Sequence, residues 1–170
     1  MAEHLEIIQG NKAEKYAALL PQLASVVEDE PDLIARMANV AAMIQETFRF
    51  WWTGFYRVVD NDNMSDSKKD KEQLVLGPFQ GPLACTRIRR GRGVCGTAWD
   101  RDETQVVPDV DQFPGHIACS SASRSEIVVP VHDAAGRVIA VLDIDSEQLG
   151  TFDEVDKEWL EKMAKLISYN

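Results

Sequence analysis

The sequence predicts an α+β layer fold: helices first, then an antiparallel sheet, then a closing helix. Three observations predict it. Residues 11–48 carry apolar side chains at helical spacing. From Trp51 to Asp145, short aromatic and β-branched runs alternate with turn-forming residues. The last stretch, Thr151 to Tyr169, returns to an amphipathic helical pattern.

Asn11 to about Glu28 is rich in Ala, Leu, Lys and Glu and suits a helix. Pro21 lies within it, so a break or a second helix start is expected there. Asp32 to Phe48 reads as a second helix, with Leu33, Ile34, Met37, Val40, Ala41, Ile44 and Phe48 in helical register. Trp51 to Val59 is aromatic and β-branched, as in a strand. Asp60 to Lys71 is polar throughout and reads as an exposed hairpin loop. Glu72 to Phe79 resumes a strand, and Ala84 to Ile88 suggests another. Gly93 to Asp102 has the pattern of a short helix, and Gln105 to Val107 that of a short strand. Pro108 to Ser123 is irregular. Ser125 to His132 and Arg137 to Asp145 flank DAAG as a hairpin. In the closing helix, Thr151 and Glu154 suit a capping box, and Val155, Trp159, Met163, Leu166 and Ile167 form one apolar face.

A single domain over residues 1–170 accommodates these elements around one core. Hydrophobic residues make up 45%, usual for a globular protein. A net charge of −10 argues against non-specific nucleic-acid binding, which needs an excess of Lys and Arg. No apolar run is long enough for a membrane span, and the N-terminal residues lack the plan of a signal peptide, so a cytoplasmic location is expected. No second domain is read in the chain.

The three cysteines, Cys85, Cys95 and Cys119, cannot all pair within one chain. In a reducing compartment such cysteines are reduced, buried, metal-bound or reactive. Burial as a small apolar side chain is the default for any one of them. Their crowding into about one fifth of the sequence, beside small residues, shifts the reading toward chemistry. Cys119 lies in GHIACSSASRSE, in the long irregular segment. His116 and Arg124 are near it in sequence and would favour a thiolate, although an exposed histidine and a surface charge are the plainer readings. Short metal-binding spacings such as C-x-x-C are missing, so no metal and no cofactor are expected. IRRGRG (Ile88 to Gly93) lacks the spacing of a phosphate loop and reads as a solvated or pocket-rim charge cluster.

A carboxylate group stands out. Asp143 and Asp145 end the run VIAVLDIDS and, two apart in a strand, leave the same face. Hairpin pairing of Val131 with Arg137 or Val138 brings Glu126 across from about Asp143. Clustered carboxyls raise one another's pKa and share a proton, or receive a cation.

These pieces resemble the free methionine-(R)-sulfoxide reductases, a stand-alone branch of the GAF-domain proteins. The resemblance runs from about Asn11 to Leu166. It rests on WTGFY (Trp52 to Tyr56), GPLACTRIRRGRGVCGTAW, VVPDVDQFPGHIACSSASRSEIVVPV, GRVIAVLDIDS and the closing FDEVDKEWLEKM. GRVIAVLDIDS alone indicates only the GAF fold; the cysteine positions together with WTGFY make the match specific. The departures are the long polar stretch Asp60 to Lys71 and a tryptophan at position 51, where relatives often have asparagine. The resemblance implies a central, about six-stranded antiparallel sheet, with helices on one face and active-site loops on the other. It implies reduction of free L-methionine (R)-sulfoxide, with thioredoxin as reductant. It implies Cys119 as the attacking cysteine, Cys85 as the resolving one and Cys95 as auxiliary. Glu126, Asp143 and Asp145, with Trp52 and Tyr56, match the substrate site; core packing is the competing role for the two aromatics. Glu126 or one of the aspartates would protonate the sulfoxide oxygen, and an ammonium group between Asp143 and Asp145 would explain their pairing. A homodimer is compatible with the resemblance. Two other readings use the same features: a GAF small-molecule sensor, and a thiol-based peroxide or redox sensor.

Overall fold

The computed structural model describes residues 4–60, 71–115 and 122–167. The polar stretch 61–70, expected to be a loop, and residues 116–121, which hold His116 and Cys119, lie outside the described residues. Helices α1 (Lys12–Val27) and α2 (Leu33–Phe48) precede strands β1 (Trp52–Asp60), β2 (Glu72–Gln80) and β3 (Arg87–Ile88). Helix α3 (Gly93–Arg101), strands β4 (Gln105–Val107), β5 (Ser125–His132) and β6 (Val138–Ser146), and helix α4 (Glu154–Ile167) follow. The strands form one six-stranded sheet in the order β3-β2-β1-β6-β5-β4, antiparallel throughout. The long helices α1, α2 and α4 cover one face with Phe55, Ile127, Val129, Leu142 and Ile144 beneath them. Short α3 and the loops cover the other face, packed on Trp52, Tyr56, Val128 and Val141. No helix among the described residues is long and apolar enough to cross a membrane.

Several local expectations are corrected. Helix α1 runs through Pro21 without a break. Proline removes one backbone donor, but Pro21 lies on the exposed side, and Gln22 Nε2 donates to the nearby Ala18 carbonyl at 2.9 Å. Burial of Tyr16, Leu19, Leu23 and Val27 carries the helix across. Strand β3 is shorter than the expected Ala84–Ile88; only Arg87 and Ile88 pair, with Val75 and Leu74. At α4 the capping box sits two residues later than read from sequence. Asp153 Oδ1 accepts from the Val155 amide (2.8 Å), and Asp156 Oδ2 accepts from the Asp153 amide (2.8 Å). Thr151 instead donates its hydroxyl to Ser146 Oγ at 2.7 Å. The buried stripe of α4 shifts with it, to Asp156, Leu160, Met163, Ala164 and Ile167. Asp156 is tolerable there because Tyr16 donates to its Oδ1 (2.8 Å) and Lys12 pairs with its Oδ2, which ties α4 to α1.

The β5–β6 register is the feature that builds the site. The turn after His132 is closed by the Asp133 amide on the Arg137 carbonyl, and pairing begins at His132↔Val138. The next pair is Val131↔Ala140, so Ile139 is an extra residue in β6, a bulge. Beyond the bulge Glu126 stands opposite Asp145, not opposite Asp143 as the hairpin count suggested. Without the bulge Glu126 would pair with Ile144, and the carboxyls would divide between the two faces. The apolar set Ile127, Val129 and Val131 against Ile144, Leu142 and Ala140 selects the observed register, because those residues must face the helices.

Candidate active site

Two cross-strand rows form the floor of a pocket on the α3 side. In one row Trp52 (β1), Asp145 (β6), Glu126 (β5) and Val107 (β4) stand side by side. In the next, Phe79, Gly54, Asp143 and Val128 do. All five residues assigned from sequence to substrate binding line this one pocket: Trp52, Tyr56, Glu126, Asp143 and Asp145. Gly54 is needed between the rows. A Cβ there would stand 2.4 Å from Phe79 Cβ and 2.6 Å from Trp52 Cη2, so a side chain would evict the indole. With glycine, the Trp52 ring lies over the strand, stacked at 5.9 Å on Tyr56 and at 5.3 Å on Phe79.

The two aromatics also fasten the Cys85 loop. Trp52 Nε1 donates to the Pro82 carbonyl (3.1 Å), and Tyr56 Oη donates to the Cys85 carbonyl (3.0 Å). Both side chains are buried and share a face, so their packing role and their pocket role coincide. Tyr56→Phe removes only the hydroxyl and leaves the Cys85 carbonyl without this donor. A loss of about 1 kcal/mol of stability, seen as a lower Tm by calorimetry, is the expected result.

Cys95 enters from α3. Its Sγ is 4.0 Å from Glu126 Oε1, and the nearest ligand atoms of Cys95, Glu126 and Asp143 all lie within 4.8 Å of one another. Gly96 lets this helix approach the arginine loop, since a Cβ would be 2.4 Å from the Arg89 carbonyl oxygen. Glu126 and Asp143 are each only 6% exposed. Burial, then the neighbouring carboxylates, hold the Glu126 carboxyl well above its ordinary range. Burial and the charge of Asp145 do the same to Asp143. Asp145, at the more open end, is pushed up by burial to about 6, opposed by the hydroxyl of Ser123, which donates to its Oδ1. Burial, then Asp143 and Glu126, push the Cys95 thiol well up, so it keeps its proton. Asp143 Oδ1 is buried with no hydrogen-bond partner among the described residues. Such an oxygen calls for a proton or a ligand. The Cys95, Glu126 and Asp143 atoms are close enough to hold a metal ion; a shared proton neutralises the same cluster.

Cys85 is disulfide-bonded and half-buried at the pocket's edge, and Cys95 is free. Cys119 and His116 lie outside the described residues. Arg124 is exposed; its amide donates to the Ser146 carbonyl at 2.7 Å, a sheet contact. Sequence reasoning missed Ser123, Leu83 and Val94, which also line the pocket. Nothing in their local sequence marks them, because loop geometry and the α3 approach bring them in. Arg92 does line the pocket, which agrees with the pocket-rim reading of IRRGRG.

The GAF domain family profile matches residues 27–169. The chain is 53% identical over 167 residues to GAF domain-containing protein A of Dictyostelium discoideum, covering 98% of this chain and 99% of that relative. It is 40% identical over 163 residues to the free methionine-R-sulfoxide reductase of Saccharomyces cerevisiae, covering 93% of this chain and 86% of the relative. Among solved structures, it superposes with a TM-score of 0.86 on a free methionine-R-sulfoxide reductase from Neisseria meningitidis in complex with its substrate. That match has 53% identity over 96% of this chain and 92% of the other. Sheet order, helix placement and the pocket on the α3 face thus define a GAF domain whose pocket combines apolar walls with buried carboxyls. Within that class, the chain belongs to the free methionine-R-sulfoxide reductase family.

Proposed function

We propose that this protein reduces free L-methionine (R)-sulfoxide to L-methionine, with Cys119 as the nucleophile and thioredoxin as the final reductant. The observation that carries this reading is the buried Glu126–Asp143–Asp145 cluster beside the Trp52–Tyr56 pair. An amino acid with a sulfoxide side chain needs each part. Its ammonium is received by Asp143 and Asp145, whose repulsion it relieves. The unpartnered Asp143 Oδ1 supports this assignment. Its methyl and methylene groups lie on the aromatic rings. Glu126, its carboxyl held well above the ordinary range by burial and the neighbouring carboxylates, gives its proton to the sulfoxide oxygen.

The Cys119 thiolate attacks the sulfoxide sulfur. The S–O bond breaks, methionine leaves, and the oxygen remains on Cys119 as a sulfenic acid. The Cys85 thiol condenses with it, releasing water and forming a disulfide; a disulfide-bonded Cys85 at the pocket edge supports this step. A dithiol then exchanges with that bond and restores both thiols. Cys95 is auxiliary: its protonated, buried thiol packs against the acid cluster rather than attacking.

The test is NADPH oxidation coupled through thioredoxin reductase and thioredoxin, with free methionine sulfoxide, hydrogen peroxide or no substrate. Turnover with the sulfoxide is expected. Turnover with peroxide alone would favour the thiol peroxidase reading, and turnover with neither would favour a non-catalytic sensor. In the same system, Cys85→Ser is expected to release about one methionine per enzyme and then stall, because exchange needs a disulfide to attack. Sustained thioredoxin-driven turnover of that variant would move the resolving role to Cys95, or show that the Cys119 sulfenic acid is reduced directly.

A further inference from the structure

We propose that the loop Pro82–Cys85 together with Arg87 and Arg89 is the docking surface for the reductant, an acidic dithiol protein. This rests on the reading that a protein dithiol opens the Cys85 disulfide. Leu83 is 91% exposed, far beyond Leu149 at 52% and Ile34 at 39%. A leucine held out in water two residues from a disulfide is an unfavourable arrangement that a partner surface would relieve. Its loop is not adrift: Trp52 and Tyr56 hold the Pro82 and Cys85 carbonyls, and the Leu76 amide donates to the Thr86 carbonyl at 3.0 Å. The apolar knob is therefore presented on a fixed support.

The charge beside it points to the partner's chemistry. In the edge strand β3, Ile88 faces the pocket, so Arg87 turns outward, and Arg89, just past the strand, is exposed as well. Arg90 is accounted for by Asp100 (3.0 Å) and the Trp99 ring, and Arg92 by the pocket rim. Arg87 and Arg89 are exposed and have no ion-pair partner among the described residues. They form a basic site on a chain whose net charge is −10, so an acidic protein is repelled elsewhere and drawn here. The approach serves one exchange. A partner thiolate attacks Cys85 Sγ, the enzyme disulfide breaks, and the other enzyme cysteine leaves as a thiolate. The partner's second thiolate then attacks its own sulfur in the mixed disulfide. Cys85 is released, the partner is oxidised to its disulfide, and two electrons have reached the enzyme.

The experiment compares thioredoxin with dithiothreitol as reductant at saturating methionine sulfoxide. In the Arg87→Glu/Arg89→Glu double variant, kcat/KM for thioredoxin is expected to fall about tenfold or more, while dithiothreitol-driven turnover and KM for the sulfoxide stay at wild-type values. Added salt should weaken wild-type use of thioredoxin but not that of the variant, where it screens repulsion by the introduced glutamates. Leu83→Ser should likewise raise KM for thioredoxin. Unchanged thioredoxin kinetics in the double variant would overturn the proposal. So would a Leu83→Ser effect confined to KM for the sulfoxide, which would make Leu83 a substrate cover. A wild-type enzyme driven by dithiothreitol but not by thioredoxin would remove the protein partner and leave the chemistry standing. Failure with both reductants would remove the functional reading itself.

Discussion

Replacing Cys119 with serine is expected to abolish methionine release, even in a single turnover without reductant. In the proposed mechanism a thiolate attacks the sulfoxide sulfur, and a serine hydroxyl holds its proton at neutral pH with no comparable nucleophile left behind. Neither described cysteine is suited to substitute. The Cys95 thiol is buried between two carboxyls, and both the burial and their charge oppose its ionisation. Cys85 sits on the pocket's edge, with its loop pinned by Tyr56 and Trp52. The measurement is methionine released per enzyme, quantified after rapid quenching, with the sulfenic acid trapped by dimedone and read by mass. Neither product is expected from the variant. Normal release would place the nucleophile elsewhere, and a dimedone adduct on another cysteine would identify it.

Most of the architecture was legible because each element carried its own local signal. The Met37–Val40–Ala41–Ile44 spacing fixes α2, and alternating β-branched residues fix β5 and β6. The gathering of carboxyls on one face was legible too, since a separation of two residues in a strand sets the face of Asp143 and Asp145. What was not legible depends on contacts distant in sequence. The bulge at Ile139 is selected by the helix-facing apolar set across two strands, not by the residues of the turn, so counting from DAAG placed Glu126 two residues away from its partner. The α4 cap moved from Thr151 to Asp153 because Ser146 and Gln148 capture the threonine hydroxyl. The local cost of Pro21 is plain in the sequence and predicts a break or a second helix start, whereas the buried stripe that overrides it is tertiary. Ser123 reaches Asp145 through a loop path that no periodicity encodes. The second role of Trp52 and Tyr56, holding the Cys85 loop, was likewise invisible, because it depends on where the carbonyls of residues 82 and 85 fall.

The free amino group of the substrate should be worth more to this site than any other single feature of the ligand. N-acetyl methionine (R)-sulfoxide lacks the ammonium and adds bulk, leaving Asp143 and Asp145 to face each other without a cation. Leaving a buried carboxylate unpaired typically costs about 2–5 kcal/mol, roughly 30-fold to several thousand-fold in kcat/KM. That is the selectivity expected for the free over the acetylated R epimer. The acid cluster also sets the pH dependence. Asp145, pushed up to about 6, is mostly ionised at neutral pH and becomes protonated as the pH falls through that value. The ammonium then loses a partner, so KM for the free substrate should rise below about pH 6, while the acetylated substrate shows no such rise. Asp145→Asn should raise KM and remove this low-pH limb; Asp143→Asn should also act chiefly on KM. Glu126→Gln, which cannot give up a proton, should lower kcat with little change in KM. The measurement is kcat and KM for both substrates across pH 5 to 8 in wild type and the three variants. Comparable efficiency on the free and acetylated substrates in wild type would show that Asp143 and Asp145 do not read the ammonium. A Glu126→Gln enzyme with normal kcat would pass the proton to Asp143, the other buried carboxyl held above its ordinary range.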